Sequence, residues 1–267
     1  MAIRLDMTIS LDGYVAGPHD GPDDPMGRGG FRLFNWLDRR LDLGPSGEVY
    51  AELLSTRAVL SGRRTYELAG RWSGDHHDGV PIVVLTHEIP DDPPPGSVGY
   101  ATDPHEAATR VRTAAGDGDV MVHGAGAAQT LLRAGELDEM ELHVVPVLLG
   151  QGRRLFDHLP TGHVELDLTR RLTSPDTEDL AQRVTHLRYR LRPRPSGGRP
   201  DERPDGRGRH SHPTPHHSGP DHGLTSFPIA ASSSRPQSGV ARYPAQAARA
   251  PGRVPHPARR SPRGSGT

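Results

Sequence analysis

The sequence contains no cysteine, so it offers no disulfide, no thiolate metal site and no cysteine nucleophile. It contains no lysine either, every one of its 32 Lys-or-Arg residues being arginine. That excludes Schiff-base chemistry and leaves the guanidinium as the permanent cation for gripping phosphate. Aromatic residues make up only 4% of the 267 residues, and no apolar run approaches the length of a membrane span. The stretch from Met1 to Asp6 lacks a charged region followed by an apolar core and a small-residue cleavage site. A cytoplasmic location is the expectation.

Acidic residues are scarce in one part of the chain only. Residues 1–192 carry a net charge of −9, whereas residues 193–267 hold 4 acids against 12 arginines, for +8. An acidic body argues against nucleic acid as its main partner, because phosphate contacts need clustered positive charge. Beyond Arg192 the apolar periodicity stops, and Pro, Gly, Ser, Arg and His cannot bury enough area to offset the entropy of ordering. Residues 193–267 are therefore expected to form a disordered basic tail with at most weak, salt-sensitive contacts to anionic polymers. His216, His217 and His222 lie there without fixed geometry, and no metal site is expected.

What is present is organised around Val120 to Leu132. Val120, Met121 and Val122 read as a buried strand, Gly124-Ala125-Gly126 as a turn, and Ala128, Leu131 and Leu132 recur at helical spacing. Small residues at such a turn let backbone N–H groups approach a phosphate, although many turns of this kind use Gly for packing alone. Ala58-Val59-Leu60 followed by Ser61-Gly62-Arg63-Arg64-Thr65-Tyr66 repeats the strand, glycine, helix order. At the start of the chain Ile3, Leu5, Met7 and Ile9 alternate with Arg4, Asp6, Thr8 and Ser10, which predicts a half-buried strand ending at Asp12-Gly13.

A loop rich in Gly, Pro and Asp spans Pro18 to Gly30, and then Phe31, Phe34, Trp36 and Leu37 concentrate the scarce aromatics. They read either as a short core helix or as the wall of a ligand pocket. Ser46 is placed to cap a helix bearing Val49, Tyr50, Leu53 and Leu54. Asp103-Pro104-His105-Glu106 is a capping box for a helix that ends at Gly116. Pro81 to Leu85, Val98 to Ala101 and Leu142 to Leu149 read as further strands, Pro146 marking an edge or bulge in the last. Val164, Leu166 and Leu168, then Leu187, Tyr189 and Leu191, supply two closing strands. The expected class is α/β: a mostly parallel central sheet flanked by helices, with closing antiparallel edge strands.

The order of these motifs resembles the dihydrofolate reductase-like superfamily. The residues that carry the likeness are Ser10 to Ala16, the Gly62 to Tyr66 junction, the Gly124 turn, and Val145 to Gly152 with Leu155-Phe156. Within the superfamily they are most similar to the reductase domain of bacterial riboflavin-biosynthesis deaminase-reductases and its stand-alone relatives, over Ala2 to Leu191. The resemblance implies NADPH as cofactor. It assigns Gly62, Arg63, Arg64, Thr65, Thr86 and His87 to the phosphates, Gly124, Ala125, Gly126 and Ala127 to the pyrophosphate turn, and Val15 and Ala16 to the nicotinamide amide. Ala125 stands where the family carries a second glycine.

For catalysis the resemblance points to Asn35, Asp38 and Asp12 as candidates, Asn35 being unable to donate a carboxyl proton. The implied activity is reduction of 5-amino-6-(5-phosphoribosylamino)uracil or a related small heterocycle. Dihydrofolate reduction and a catalytically degenerate NADPH-binding protein are the alternatives. A homodimer is expected by the same likeness, and because the closing strands leave an apolar edge.

Overall fold

Short β-branched strands alternate with helices through the first half of the chain, and each helix returns the chain to the same end of the sheet. A computed structural model describes residues 1–91, 97–157, 159, 163–174 and 179–192. The expected tail from residue 193, with His216, His217 and His222, lies outside the described residues. The elements are β1 (Ile3–Ser10), β2 (Tyr14–Ala16), a 3-10 helix (Gly30–Arg39), α1 (Pro45–Leu54), β3 (Ala58–Gly62), α2 (Arg63–Leu68), a 3-10 turn (Gly70–Gly74), β4 (Ile82–Leu85), β5 (Val98–Ala101) and α3 (Pro104–Ala115). There follow β6 (Val120–His123), α4 (Ala125–Ala134), β7 (Glu139–Val145), β8 (Arg153–Arg154), β9 (Leu166–Thr173), a 3-10 turn (Leu180–Gln182) and β10 (Thr185–Leu191).

Eight strands form one sheet in the order β5-β4-β3-β6-β1-β7-β10-β9. From β5 to β7 every pair is parallel; β10 and β9 close one side antiparallel. β2 and β8 make a separate antiparallel ribbon. One face of the sheet packs Ile3, Leu5, Leu60 and Val122 against Val111 of α3 and Ala128 and Leu131 of α4. The opposite face is covered by α2, α1 and the 3-10 segments, through Tyr66, Trp72, Val49 and Trp36. The fold class read from the sequence is the one observed.

Three local readings change. β1 is buried on both faces, since Arg4, Asp6, Thr8 and Ser10 are nearly as inaccessible as Ile3 and Leu5; a central strand under helices on each side has no solvent face. Ser46 makes no cap bond, because Gly44 is the cap and Pro45 takes the first helical position. The strand read as Leu142 to Leu149 begins earlier and stops at Val145, where Pro146 has no N–H to extend the ladder. The Asp103 cap is as expected, its carboxylate accepting from the Glu106 N–H at 2.9 Å.

Candidate active site

β3 and β6 are neighbours, so their two glycine junctions end side by side. A Cβ on Gly124 would lie 2.4 Å from Thr65 Oγ1, and one on Gly62 would lie 3.4 Å from the Ala127 nitrogen. With φ at 98°, Gly124 is required by the protein's own packing and turn. Gly126 differs: it is exposed, and a Cβ there would meet nothing within 4 Å. It costs α4 up to about 1 kcal/mol relative to alanine and leaves the helix start bare for an anion.

Arg63 bonds Glu67 at 2.9 Å and donates to the Glu88 carbonyl at 3.2 Å. Thr86 Oγ1 donates to the same carbonyl at 2.8 Å, so Arg63 and Thr86 share one corner, with His87 exposed beside it. Arg64 turns away, its guanidinium bonding Asp20 of the long loop at 2.9 Å; Arg153 of β8 bonds the same carboxylate at 3.1 Å. The loop is thereby tied across the front of the sheet.

Beneath it lies a cleft of about 160 Å³. Its lining includes Val15 and Ala16 of β2, Phe34, Trp36 and Leu37 of the 3-10 helix, Tyr50 and Leu53 of α1, Arg64 and Thr65, and Gly124 and Ala125. Trp72 completes one wall from a left-handed turn in which Arg71, Trp72 and Ser73 have φ of 54°, 45° and 53°. Non-glycine residues in that region cost on the order of 1–2 kcal/mol each, so the surrounding packing holds this wall in place.

The floor is polar. Asp6 of β1, His123 of β6 and His143 of β7 line it with His76, and Trp36 packs on His143 with ring centroids 4.8 Å apart. Asp6 Oδ1 lies 3.1 Å from His143 Nε2, and His143 Nδ1 lies 2.9 Å from His186 Nδ1 on β10. A carboxylate can only accept, so His143 donates to it from Nε2, and one proton lies between the two facing Nδ1 atoms. His186 Nε2, buried, has no hydrogen-bond partner among the described residues. Burial opposes charge on Asp6, but the His143 charge and hydrogen bond, with His123 and Arg4 nearby, outweigh it and hold the carboxyl at about 2. Burial, reinforced by His143, pushes His186 down to about 3, and burial lowers His76 and His123 as well.

A family model, the RibD C-terminal domain, matches residues 1–180. The chain belongs to that family. As a RibD-type domain it has the coarse role of an oxidoreductase. Among solved structures it is similar to a Shewanella sp. PV-4 protein named as a riboflavin biosynthesis protein, at 21% identity and a TM-score of 0.54, covering 72% of this chain and 100% of that one. That likeness is one of fold. A dihydrofolate reductase from Enterococcus faecalis, complexed with NADP(H) and RAB-propyl, aligns at 13% identity and a TM-score of 0.47, over 71% of this chain and 96% of that one. No curated protein matches the chain.

The structure of this RibD-type domain gathers Gly62, Arg63, Arg64, Thr65, Thr86, His87 and Gly124 to Ala127 along one end of the parallel strands, with Val15 and Ala16 in the cleft. It does not bring the three catalytic candidates to the cleft lining. Asp12 closes a turn, accepting from the Gly150 N–H at 2.7 Å, the Leu149 N–H at 3.2 Å and Ser10 Oγ at 2.5 Å. Asn35 is half-buried outside the lining, and Asp38 is exposed. The ionisable groups on the floor, Asp6, His123 and His143, are ones the sequence pattern did not single out. Their convergence depends on the pairing of β1 with β6 and β7, strands more than 100 residues apart in the chain.

Proposed function

We propose that the protein is an NADPH-dependent reductase of a small heterocycle, of the 5-amino-6-(5-phosphoribosylamino)uracil reductase type, working in the cytoplasm as a homodimer. The observation that carries this is the side-by-side placement of the two glycine junctions at the mouth of a largely apolar cleft with a polar floor. The residues fit the cofactor. Gly126 leaves the start of α4 open where the Cβ of any other residue would stand, and Arg63 with Thr86 offers donors for a 2′-phosphate. Gly62 to Thr65 and Gly124 to Ala127 would hold the diphosphate, and Val15 and Ala16 the nicotinamide amide through their backbone.

Bound there, NADPH supplies a hydride. The chain's own part is to orient a flat ring between Trp36 and the β2 residues, exclude water with the tied loop, and keep an anion at Asp6. The placement of Asn35 and Asp38 outside the cleft lining weighs against a dihydrofolate reductase that uses an acid from that helix.

The test is to titrate the purified chain with NADPH and NADH, then to assay NADPH oxidation with the phosphoribosylamino-pyrimidine and with dihydrofolate side by side. Oxidation with the pyrimidine alone is expected. Failure to bind NADPH overturns the reading, and tight binding with no turnover on either compound assigns the chain to the degenerate class. The homodimer is checked by solution scattering at micromolar protein, where a monomer mass would remove it.

A further inference from the structure

The cleft floor holds a buried anion without a fixed cation. Asp6 is only 7% exposed and lines the cleft, yet its one ion-pair partner among the described residues is His143, on Oδ1. Among the described residues His143 bonds Oδ1, and none donates to Oδ2, which stays open to the cleft. The nearest arginine on the same strand, Arg4, is directed to Asp119 at 3.3 Å and Glu139 at 4.0 Å. His123 approaches the backbone carbonyl of Asp6, at 3.1 Å, and not its carboxylate. A mostly buried carboxylate with one oxygen still open to a cleft gains most from a ligand donor that completes it as water is displaced. Beside the histidines of the floor, the lining includes the aromatic rings of Trp36, Phe34 and Trp72.

From this geometry we infer that Asp6 is the specificity-determining group of the cleft, and that it recognises a planar ligand by an N–H donor or amidine-like cationic edge presented to Oδ2. The inference deepens the reductase reading and rests on it only in calling that ligand the substrate. Two neighbouring N–H groups on one edge of a nitrogen heterocycle meet a carboxylate as a fork meets its acceptor pair, and each charge-assisted bond is roughly twice as strong as a neutral one. Ligands that present a carboxylate to the floor are rejected, because like charges cannot share a desolvated site. His143 serves as a positioning residue, since its Nε2–H fixes Oδ1 and turns Oδ2 to the cleft.

The chain contains two tryptophans, Trp36 and Trp72, and both line the cleft, so intrinsic fluorescence reports its occupancy directly. The probes are benzamidine, benzamide and benzoate, which share one ring and differ only in the edge offered to the floor. The full chain is expected to bind benzamidine at least tenfold more tightly than benzamide, and benzoate most weakly. Asp6→Asn should bring the benzamidine to benzamide ratio to near one while leaving benzamide itself within about twofold. His143→Gln should lower the ratio by less, which a general loss of structure would not do. Where Asp6→Asn fails to fold, Asp6→Ser and the wild-type ratio decide the matter. A wild-type ratio near one, or an undiminished ratio in a folded Asp6 variant, overturns the inference. NADPH binding is read separately from the cofactor's own fluorescence, so failure of the reductase reading and failure of the Asp6 assignment give different results.

Discussion

Two acids stand directly opposite one another across β1 and β7, and the molecule treats them in opposite ways. Glu141, 1% exposed, is enclosed by Arg170 at 3.2 Å and by the Arg188 Nε, and both arginines also bond Glu52 of α1, Arg188 at 2.5 Å and Arg170 at 2.5 Å. Its register partner Asp6 has a histidine on one oxygen and no donor on the other among the described residues. Glu141 is a closed network in which every charge has an opposite within reach, and it clamps α1 onto β9 and β10. Asp6 is the same chemistry left open toward a cleft. Glu141 is held by arginines, which are always charged, whereas Asp6 is backed by a histidine, whose charge depends on pH.

Breaking the closed side should have the largest effect. Glu141→Gln leaves two mostly buried arginines sharing Glu52, with the exposed Glu48 3.5 Å from Arg170 as the other acid in reach, and removal of one member of such a buried set costs about 3–5 kcal/mol. Urea denaturation is expected to show that loss. A change below about 1 kcal/mol would mean the network is solvated in solution.

The histidine backing makes the open side sensitive to acid. His186 takes a proton at about 3 in the folded chain but near its ordinary 6.5 when unfolded, so between those values the unfolded state binds more protons. Stability should therefore fall as pH drops from 6.5 toward 3, by on the order of 1.4 kcal/mol per pH unit for this one group. His76 and His123, shifted the same way, add to the slope. Asp6, lowered from 3.8 to about 2, contributes stability present above its unfolded value and lost only in that lower range. Replacement of His186 by Phe should flatten the urea midpoint between pH 6 and pH 4; an unchanged slope would assign the sensitivity elsewhere.

The comparison extends to the arginines of the cofactor end. Arg188 is committed to Glu141 and Glu52, but Arg63 holds an exposed pair with Glu67, of a kind worth about 0–1 kcal/mol, and a bond to the Glu88 carbonyl. It is free to exchange that pair for a 2′-phosphate. Arg63→Ala should weaken NADPH about tenfold, equivalent to about 1.4 kcal/mol, and leave NADH nearly unchanged. Equal losses for both would show a structural role. The smallest effect is expected from ending the chain at Pro193, beyond both acidic sites and past the last strand at Leu191. Its melting temperature should match that of the full chain, and loss of cooperative unfolding would contradict this.

The parts of the fold legible in the sequence were those set by local rules. Periodicity found β3, β4, β6 and α3, and the Asp103 cap and the Gly116 stop were read directly. The two glycine junctions, which the proposed function assigns to the cofactor, were legible as structure for the same reason, since each strand, glycine, helix run is contiguous. The floor was not. Asp6 looked like the polar half of an ordinary alternation, and nothing nearby in sequence says that β7 will set His143 within 3.1 Å of it or that β10 will set His186 behind that. Asp12 and Asp38 drew attention through position along the chain, whereas register across the sheet decides which acid meets the cleft.

The two glycines of the α4 junction record different histories. Gly124 answers to Thr65, so a lineage that abandoned nucleotide chemistry would still keep it in order to fold. Gly126 answers to nothing among the described residues, and drift toward alanine there would strengthen the helix where no ligand needs the space. On the proposed reading, the residue at position 126 is therefore the better marker, among descendants of this domain, of which ones bind a cofactor.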